Sequence, residues 1–462
     1  MIVDLTKIVQ SQKNFFRSGV TRPTGFRQNM LSILLEGLSA HGDDLLKAVY
    51  RDLGRSPEQT YLAEVAFVES EAAYAMKHIG RWAKPRRVPT PVLAWPARSS
   101  CQQEPYGVVL IMGPWNYPLQ LILTPLVSAI AAGNCAVLKP SELSPATSEA
   151  IARLVSSIYP PEYVAVVEGD GVVAAACLKQ PFQKIFFTGS TERGREVMAC
   201  AADRLIPVTL ELGGKSPCIV CADVPIEIAA RRIVWGKFLN AGQTCTAPDF
   251  VLVDRRVKEQ FLESLSRSIK EFYGEDPRRS ADYSRIINRR QHERLVGYLA
   301  SGETFYGGHH EASDLYISPT ILTNVSENDP VLQEEIFGPI LPVATFDEIA
   351  EAISYLRSRP TPLAMYLFTE DKETQDAVLR EVRSGGVCVN DTLLHMMGKC
   401  LPFGGLGQSG MGMYHGKYGF ECFSHQRAVM NRGFRFDSAF RYPPMKTSLT
   451  MLKKAGRFLL GR

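Results

Sequence analysis

Three polar side chains stand in local contexts that suit catalysis. Cys245 lies among the small and polar residues 240–248 that close a helical run, where a substrate can reach a thiol. Glu211 ends an apolar stretch before two glycines, where partial burial would raise the pKa of a carboxyl towards that of a useful general base. Asn116 lies in the Gly- and Pro-containing loop 111–118, and its amide can donate a hydrogen bond to a developing oxyanion. Taken singly, each also suits an ordinary role as a buried thiol, a turn carboxylate or a turn asparagine.

Further segments could bind a phosphate or a sugar. Residues 187–194 indicate a strand, a turn and a helix start, and N–H groups at a helix N-terminus favour phosphate. The segment lacks the full G-x-G-x-x-G pattern, so an ordinary Ser/Thr helix cap is the alternative. Lys139 and Glu142 follow a predicted strand, where a carboxylate can bind ribose hydroxyls, although a solvated pair of loop charges would look the same. Segments 334–339 and 401–412 indicate only tight turns.

The elements around these residues alternate between strands and helices. In the first half, we predict strands at 108–112, 135–138, 165–168 and 184–187, and helices at 119–132, 146–157, 172–178 and 191–202. In the second half, alternating apolar runs occur at 216–221, 226–240, 250–253, 258–272, 364–368, 374–382 and 387–390. This alternation is typical of an α/β fold with two units of comparable size.

The remaining segments are less regular. Apolar residues at helical spacing predict helices at 29–40 and 61–82. Four prolines between 85 and 96 then break regular structure, and a polar extended segment follows. Residues 276–334 are rich in Gly, Asn and charge and give no clear assignment.

Composition excludes several classes of protein. The 462 residues are 45% apolar and 22% charged, which is ordinary for a globular chain, and 52 basic against 48 acidic residues is too balanced for a dedicated nucleic-acid binder. Ten cysteines without a second CxxC or a nearby His pair favour unpaired thiols in a reducing compartment over a disulfide framework or a zinc site. The first residues show no secretory signal, and the uncharged stretch 107–138 is broken by Gly, Pro and Asn. We therefore expect a cytoplasmic protein without a metal site.

Taken together and in this order, the motifs resemble those of the aldehyde dehydrogenase superfamily over nearly the whole chain. The resemblance is greatest to the class 3 branch, which includes fatty aldehyde and aromatic aldehyde dehydrogenases. The short N-terminus and the segments 245–249, 389–395 and 441–444 carry this narrower assignment.

The resemblance implies a role for each candidate catalytic residue. Cys245 would attack the aldehyde carbonyl, while the Asn116 amide and the Cys245 backbone N–H would form the oxyanion hole. Hydride transfer to the nicotinamide would leave a thioester, and Glu211 would activate the water that hydrolyses it. This agrees with the chemical needs of a thiolate nucleophile, an alkoxide and a deacylation step. Two alternatives stay open: an acylating or semialdehyde-specific relative, and a catalytically silent structural or binding protein of the same fold.

The resemblance also assigns cofactor-binding residues. They are Trp115, Lys139, Glu142, Gly189, Ser190, Gly194, Glu335 and Phe337. Glu142 would bind the adenosine ribose, and its charge would oppose a 2′-phosphate, so we expect NAD, with NADP possible.

The implied architecture has two α/β domains and a bridging arm. Residues 1–84 and 107–210 would form a Rossmann-like NAD(P)-binding domain, and 211–415 the catalytic domain. Residues 85–106 and 416–437 would form a small β arm that joins a homodimer.

The C-terminal residues 438–462 form a cationic tail. They contain no acidic residue and six basic ones: Arg441, Lys446, Lys453, Lys454, Arg457 and Arg462. Leu449, Leu452, Ala455 and Leu459 can share one helical face, which could rest on an anionic membrane surface. A frayed or self-packed terminus is the alternative that we favour.

Overall fold

The N-terminal part of the chain is helical, as its apolar spacing predicts. The computed structural model describes residues 4–437, 442–445 and 447–459. The periodicity at 29–40 marks only part of a 30-residue helix, which ends at Gly54 in the left-handed conformation. The helices are α1 (Leu5–Arg17), α2 (Thr24–Leu53), α3 (Pro57–Thr60) and α4 (Ala66–Trp82), with a π-helical turn at Tyr61–Val65 between the last two.

Two antiparallel strands follow where the prolines interrupt helical structure. They are β1 (Arg86–Val88) and β2 (Arg98–Pro105), with Arg86 opposite Cys101. Most of their side chains are partly or fully exposed, so this pair extends away from the apolar core.

The first sheet forms because short apolar strands alternate with helices that cover its faces. Its elements are β3 (Val108–Met112), α5 (Gln120–Ala132), β4 (Cys135–Lys139), α6 (Pro145–Ile158), β5 (Val164–Val166), α7 (Gly171–Leu178), β6 (Lys184–Thr188), α8 (Thr191–Ala202) and β7 (Val208–Glu211). The strand order is β7-β6-β3-β4-β5, all parallel. Every residue of β3, β4 and β6 is buried, as expected of a parallel sheet covered on both sides.

The second sheet repeats this arrangement with more strands. Its elements and their connections are β8 (Pro217–Val220), α9 (Ile226–Phe238), β9 (Phe250–Asp254), α10 (Lys258–Tyr273), α11 (Arg289–Tyr298), β10 (Glu303–Tyr306), β11 (His310–Glu311), β12 (Tyr316–Ile317), β13 (Thr320–Thr323), α12 (Pro330–Gln333), β14 (Ile340–Phe346), α13 (Ile349–Arg357), β15 (Ala364–Phe368), α14 (Lys372–Glu381) and β16 (Gly386–Val389). The order is β10-β13-β14-β9-β8-β15-β16, and only β10 is antiparallel to its neighbour. β11 and β12 form a separate small pair.

The C-terminal part returns to the first sheet and then to the extended strands. Its elements are β17 (Gly410–Met411), α15 (Gly416–Cys422), β18 (Ser424–Asn431) and α16 (Leu449–Leu459). β17 pairs antiparallel with β7, and α15 packs against α4 and α5. β18 pairs with β2 from Ser424 opposite Pro105 to Asn431 opposite Arg98. β2 and β18 therefore lie in the two segments, 85–106 and 416–437, that the sequence analysis assigns to a small β arm.

The packing differs from the expected domain division at one place. Phe403 and Tyr414 are buried in the core of the first sheet, although the sequence predicts them in the second domain. β17 extends the same sheet, because Gly410 lies opposite Glu211. Residues 403–414 therefore pack with the first domain, and α15 packs there too instead of in the arm. The remaining domain boundaries stay a prediction.

The described part of the tail contains one helix, α16, at the place where the sequence allows a helix as an alternative to the frayed or self-packed terminus that we favour. Arg441, Lys446 and Arg462 lie outside the described residues. No helix within the described ranges combines the length and the apolar character that crossing a membrane requires. Within the same residues, no group of three His, Cys, Asp or Glu side chains is placed to hold a metal ion.

Candidate active site

The segment that carries Cys245 leaves α9 along a path of left-handed residues. Asn240, Ala241 and Gly242 have φ values of 54°, 51° and 74°. Residue 242 must be glycine, because a Cβ atom there would lie 2.2 Å from the carbonyl oxygen of Gly338. This path ends with Cys245 on the wall of a cavity that residues of both halves of the chain line.

Two buried amide side chains hold this loop in place. The Asn240 Nδ2 donates hydrogen bonds to the carbonyl oxygens of Asn116, at 2.9 Å, and Gln243, at 3.3 Å. The Gln243 Nε2 donates to the carbonyls of Asn240, at 3.0 Å, and Arg285, at 2.9 Å, and its Oε1 accepts from the N–H of Ile287 at 3.0 Å. A buried network of this kind specifies one backbone conformation, because breaking it would leave polar groups without partners.

Asn116 lies beside this loop, although 129 positions of sequence separate it from Cys245. Its side-chain Nδ2 donates a hydrogen bond of 3.0 Å to the carbonyl of Gln243. Among the described residues that amide has one acceptor, so its second N–H remains available to a ligand oxygen. The Asn116 side chain is buried, and such a donor is already oriented before a substrate arrives.

Glu211 is the last residue of β7, at the carboxyl edge of the first sheet. It is 2% exposed, and neither carboxyl oxygen has a hydrogen-bond partner among the described residues. Burial raises the pKa of Glu211 well above its ordinary value. Burial therefore favours the protonated form of this carboxyl, and Glu211 must be deprotonated when it acts as a base.

The thiol of Cys245 is also held in its protonated form. Burial, together with the charges of Glu335 and Glu211, raises its pKa to about 12, while the backbone N–H groups of Cys245 and Thr246 oppose the shift. A thiolate is the nucleophilic form, so the thiol needs a nearby proton acceptor before it attacks. The two carboxylates are the nearest acidic groups that influence it.

Cys245 and Glu211 line the same cavity, which has a volume of about 340 Å³. Its remaining wall is mostly aliphatic and aromatic. The apolar lining residues include Leu62, Phe67, Leu121, Trp235, Leu239, Leu363, Leu393, Met396, Met397 and Phe403. An apolar ligand that entered this cavity would bring its polar end to the thiol and the carboxyl.

A second cavity, of about 370 Å³, is lined in part by the residues that follow Glu211 and Leu212 in the chain. Its lining includes Thr191 at the start of α8, Gly213, Glu335 and Gln408. A Cβ atom at position 213 would lie 2.1 Å from a carboxylate oxygen of Glu335, so glycine allows this carboxylate to approach the backbone. Burial raises the pKa of Glu335 to about 8, and the charge of Asp249 adds to this effect.

The predicted phosphate-binding segment forms a strand, a turn and a helix start, as expected. Ser190 caps α8 by accepting a hydrogen bond of 3.4 Å from the backbone N–H of Arg193. Gly189 and Gly194 allow close packing, because added Cβ atoms would lie 2.6 Å from Phe187 and Leu212 side-chain atoms. Ser190 is thus an N-cap in the described structure, and its role towards a phosphate stays a prediction.

The remaining predicted cofactor residues fall into two pairs. The Lys139 ammonium is buried, donates a hydrogen bond of 2.7 Å to the carbonyl of Pro140 and lies 3.5 Å from the Glu142 carboxylate, which is 45% exposed. Trp115 and Phe337 meet edge to face, with ring centroids 5.4 Å apart, and Phe337 has a left-handed φ of 50°. These two aromatic rings join the loop after β3 to the loop before β14.

The sequence analysis did not identify several residues that support the site. Arg55 and Glu64 form a fully buried ion pair behind Asn116, and the hydroxyls of Tyr117 and Thr244 share a hydrogen bond of 2.8 Å. The local sequence around each of them gives no sign of these contacts, since the contacts join segments up to 127 positions apart. A buried charged residue within an apolar helical pattern would have been the one available hint.

The comparisons with known proteins agree with this geometry. Residues 3–429 match the model of the Aldehyde dehydrogenase family. A 4,4'-diaponeurosporen-aldehyde dehydrogenase of Staphylococcus aureus is 42% identical, with 96% of each chain covered. A dimeric NADP-preferring aldehyde dehydrogenase of Canis lupus familiaris is 41% identical, with 96% of this chain and 99% of the relative covered. The solved substrate-bound structure of Staphylococcus aureus AldH superposes with a TM-score of 0.95 at 41% identity, covering 97% of this chain and 98% of that one.

Proposed function

The chain belongs to the aldehyde dehydrogenase family and oxidises aldehydes to carboxylic acids with NAD(P)⁺ as cofactor, and we propose that Cys245, Glu211 and Asn116 perform this reaction on apolar aldehydes. The observation that carries the proposal is the shared cavity. The thiol of Cys245 and the carboxyl of Glu211 line one mostly apolar space, and the Asn116 amide bonds the loop that carries the thiol.

The first stage is attack by the Cys245 sulfur on the aldehyde carbon. The thiol proton passes to a nearby base as the S–C bond forms, and the carbonyl oxygen becomes an alkoxide. The free N–H of the Asn116 amide and the backbone N–H of Cys245 stabilise that charge in a water-poor site. When bound, NAD(P)⁺ supplies the hydride acceptor that makes the oxidation possible.

The second stage is hydrolysis of the thioester on Cys245. Glu211, once deprotonated, removes a proton from water as the water oxygen attacks the acyl carbon. The C–S bond then breaks, the carboxylic acid leaves, and the sulfur recovers a proton. Glu211 suits this role because its two oxygens have no protein partner to give up.

Residues that line the second cavity, together with Glu142 outside it, suit a dinucleotide. The N-terminus of α8 can bind the pyrophosphate, the exposed Glu142 carboxylate can bind ribose hydroxyls, and the buried Glu335 carboxylate faces a space lined by glycine backbone. Trp115 and Phe337, which contact each other but do not line this cavity, would contact the nicotinamide.

The apolar lining of the first cavity favours a medium- or long-chain aliphatic or an aromatic aldehyde. Each methylene group buried there should contribute about 0.8 kcal/mol, so kcat/KM should rise about threefold to fourfold per carbon along a series from propanal to octanal. A preference for a charged semialdehyde over octanal would contradict this substrate class.

Two variants test the roles of the catalytic residues. Cys245→Ala should abolish NADH formation, while Cys101→Ala, in the exposed β2, should leave the rate unchanged. Glu211→Gln should keep the initial burst of NADH and slow the steady state, because deacylation alone loses its base. Equal steady-state rates for Cys245→Ala and wild type would refute the assigned nucleophile.

The exposed arm supports a homodimer. β18 is an edge strand of the three-stranded sheet β1-β2-β18, and large apolar side chains near it are exposed, including Trp95 (68%), Met430 (54%) and Phe434 (102%). Light scattering should give twice the mass of the chain, and Phe434→Ser with Met430→Ser should weaken the dimer. A monomer at micromolar concentration would contradict this assembly.

α16 supports peripheral contact with an anionic membrane. Leu449 and Met451 are 67% and 64% exposed, and Lys453, Lys454 and Arg457 lie on the other side of the helix. Full-length protein should float with anionic liposomes more than a chain ending at Pro444 does. Equal flotation would refute a membrane role for the tail.

A further inference from the structure

We propose that the buried ion pair of Arg55 and Glu64 is a positioning device for the oxyanion-binding amide of Asn116. The two side chains are 0% exposed and contact each other directly. Neither residue lines the cavity that contains Cys245, so neither would touch the substrate. The inference rests on the proposed role of Asn116 and adds a reason why that amide is correctly placed.

Arg55 reaches three separate partners with three nitrogens. Its Nη2 contacts Glu64, its Nη1 donates a hydrogen bond of 3.1 Å to the main-chain carbonyl of Asn116, and its Nε donates one of 3.3 Å to the hydroxyl of Thr60. The guanidinium carbon also lies 4.8 Å from the ring centroid of Tyr117. Only a planar guanidinium presents donors in these fixed directions.

Glu64 binds the end of this loop that leads into α5. Its Oε2 accepts hydrogen bonds from the backbone N–H groups of Leu119, at 2.7 Å, and Gln120, at 3.0 Å. These groups lie at the N-terminus of α5, where the residue before the helix provides no side-chain cap. One ion pair therefore holds the loop between β3 and α5 at residues 116, 117, 119 and 120.

The same loop also contacts the residues next to Cys245. Tyr117, under the guanidinium, shares a hydrogen bond of 2.8 Å with Thr244, the neighbour of Cys245. The Asn116 amide donates to the carbonyl of Gln243 at 3.0 Å. A shift of the Asn116 main chain would therefore move the oxyanion donor relative to the sulfur.

A purely structural role is the competing explanation, and energetics weaken it. Burying two charges is costly, and a well-packed apolar pair of the same volume is often as stable or more stable. Burial lowers the pKa of Arg55 to about 10, so the side chain remains protonated at neutral pH. The charges are better explained by the directional hydrogen bonds that they provide to the catalytic loop.

The test begins with Arg55→Lys, which keeps the charge but loses the planar arrangement of donors. With octanal and saturating NAD⁺, the rate of the NADH burst should fall about tenfold, since small misplacements of catalytic groups cost that much or more. KM for NAD⁺ should stay unchanged. Thr60→Val is the matched control, because it removes a bond to the same guanidinium that does not lead to Asn116, and it should change the burst less than twofold.

The double variant Arg55→Lys with Asn116→Ala distinguishes an effect of Arg55 on the position of Asn116 from a general effect on the structure. If Arg55 acts through Asn116, its substitution should slow the burst less than twofold in the Asn116→Ala background. A full tenfold loss in both backgrounds would overturn the inference while leaving the proposed function intact. If Asn116→Ala alone left the burst unchanged, the proposed role of Asn116 would fail first, which is a different result.

Circular dichroism and the burst amplitude report how much protein is folded and active. Should Arg55→Lys not fold, Glu64→Gln provides a second variant that keeps the volume and an acceptor oxygen for the α5 N–H groups. It should also slow the burst without altering KM for NAD⁺. Failure of both variants to fold would show that the pair serves the fold itself and would overturn the positioning role.

Discussion

The side-chain amide of Asn116 donates a hydrogen bond of 3.0 Å to the carbonyl of Gln243, two residues before Cys245. This bond joins the loop after β3 to the loop after α9, and thus joins the proposed oxyanion donor to the loop of the proposed nucleophile. The main-chain carbonyl of Asn116 accepts hydrogen bonds from Arg55 and Asn240. Hydrogen bonds therefore fix both the main chain and the side chain of this residue. Such a donor needs no reorganisation when the alkoxide forms.

Asn116→Ala should therefore slow the NADH burst about 100-fold, as loss of one oxyanion donor does in other acyl-transfer enzymes. Asn134→Ala is a matched control, because Asn134 is fully buried and its amide bonds main-chain carbonyls of Ala129 and Phe423. It should lower the melting temperature without changing the burst rate per folded enzyme. Equal losses of rate in the two variants would contradict a specific role for Asn116. Stopped-flow fluorescence of NADH measures both.

The thiol of Cys245 should become more reactive when a neighbouring carboxylate is removed. Burial and the charges of Glu335 and Glu211 together raise its pKa to about 12. Glu335→Gln should therefore move the pH midpoint for alkylation of Cys245 by iodoacetamide to lower pH. Glu334→Gln, one position away and exposed, should leave it in place. Peptide mass spectrometry separates Cys245 from the exposed Cys200 and Cys400, and an unchanged midpoint in Glu335→Gln would refute this electrostatic coupling.

Glu211 should destabilise the fold at neutral pH. Burial raises its folded-state pKa well above the ordinary glutamate value of about 4.5, so the unfolded chain releases a proton that the folded chain retains. The free energy of unfolding then falls as pH rises from about 4.5 to the folded pKa, by about 1.4 kcal/mol per pH unit at most. This loss of stability is consistent with a carboxyl whose burial serves the reaction and not the fold.

Glu211→Gln should therefore be more stable than wild type at pH 8 and nearly equal to it at pH 4. Urea unfolding at pH 4, 6 and 8 measures the difference. Glu192→Gln, on the exposed side of α8, should show no such trend. A Glu211→Gln variant that is less stable than wild type at pH 8 would contradict the raised pKa.

The alternating strands and helices could be predicted because their hydrophobic periodicity is local. The strand at 364–368 and the helix at 191–202 agree with the structure at both ends. Residues 276–334 gave no assignment, since β11 and β12 have two residues each, too short to show alternation. α2 is longer than predicted because its second half buries Leu45, Ala48 and Val49 between charged residues.

The site could be predicted only in part. Cys245, Glu211 and Asn116 were identified from motifs, and the structure brings two of them to one cavity and the third to the adjoining loop. The ion pair of Arg55 and Glu64 could not be found, because nothing in the local sequence shows that these charged residues contact a loop 55 to 61 positions away. Long-range contacts of this kind become visible only in three dimensions.

The preference between NAD and NADP should depend on Glu142. Its carboxylate is 45% exposed at the carboxyl end of β4, and Lys139, 3.5 Å away, is its nearest cation. If the carboxylate accepts the hydroxyls of the adenosine ribose, Glu142→Ala should weaken NAD binding, since a charge-assisted hydrogen bond is lost. The same change removes a negative charge that opposes a 2′-phosphate and leaves Lys139 free to attract it.

The ratio of kcat/KM for NADP to that for NAD should then rise about tenfold in Glu142→Ala, as expected from about 1.4 kcal/mol of altered electrostatic interaction. Glu149→Ala provides the control, because Glu149 is exposed on α6 and pairs with Arg153 instead of facing the strand ends. Steady-state kinetics with octanal and each cofactor measure the ratio, and raising the salt concentration should reduce the effect, since the charges are partly exposed. An unchanged ratio in Glu142→Ala would place the ribose-binding carboxylate elsewhere in the chain.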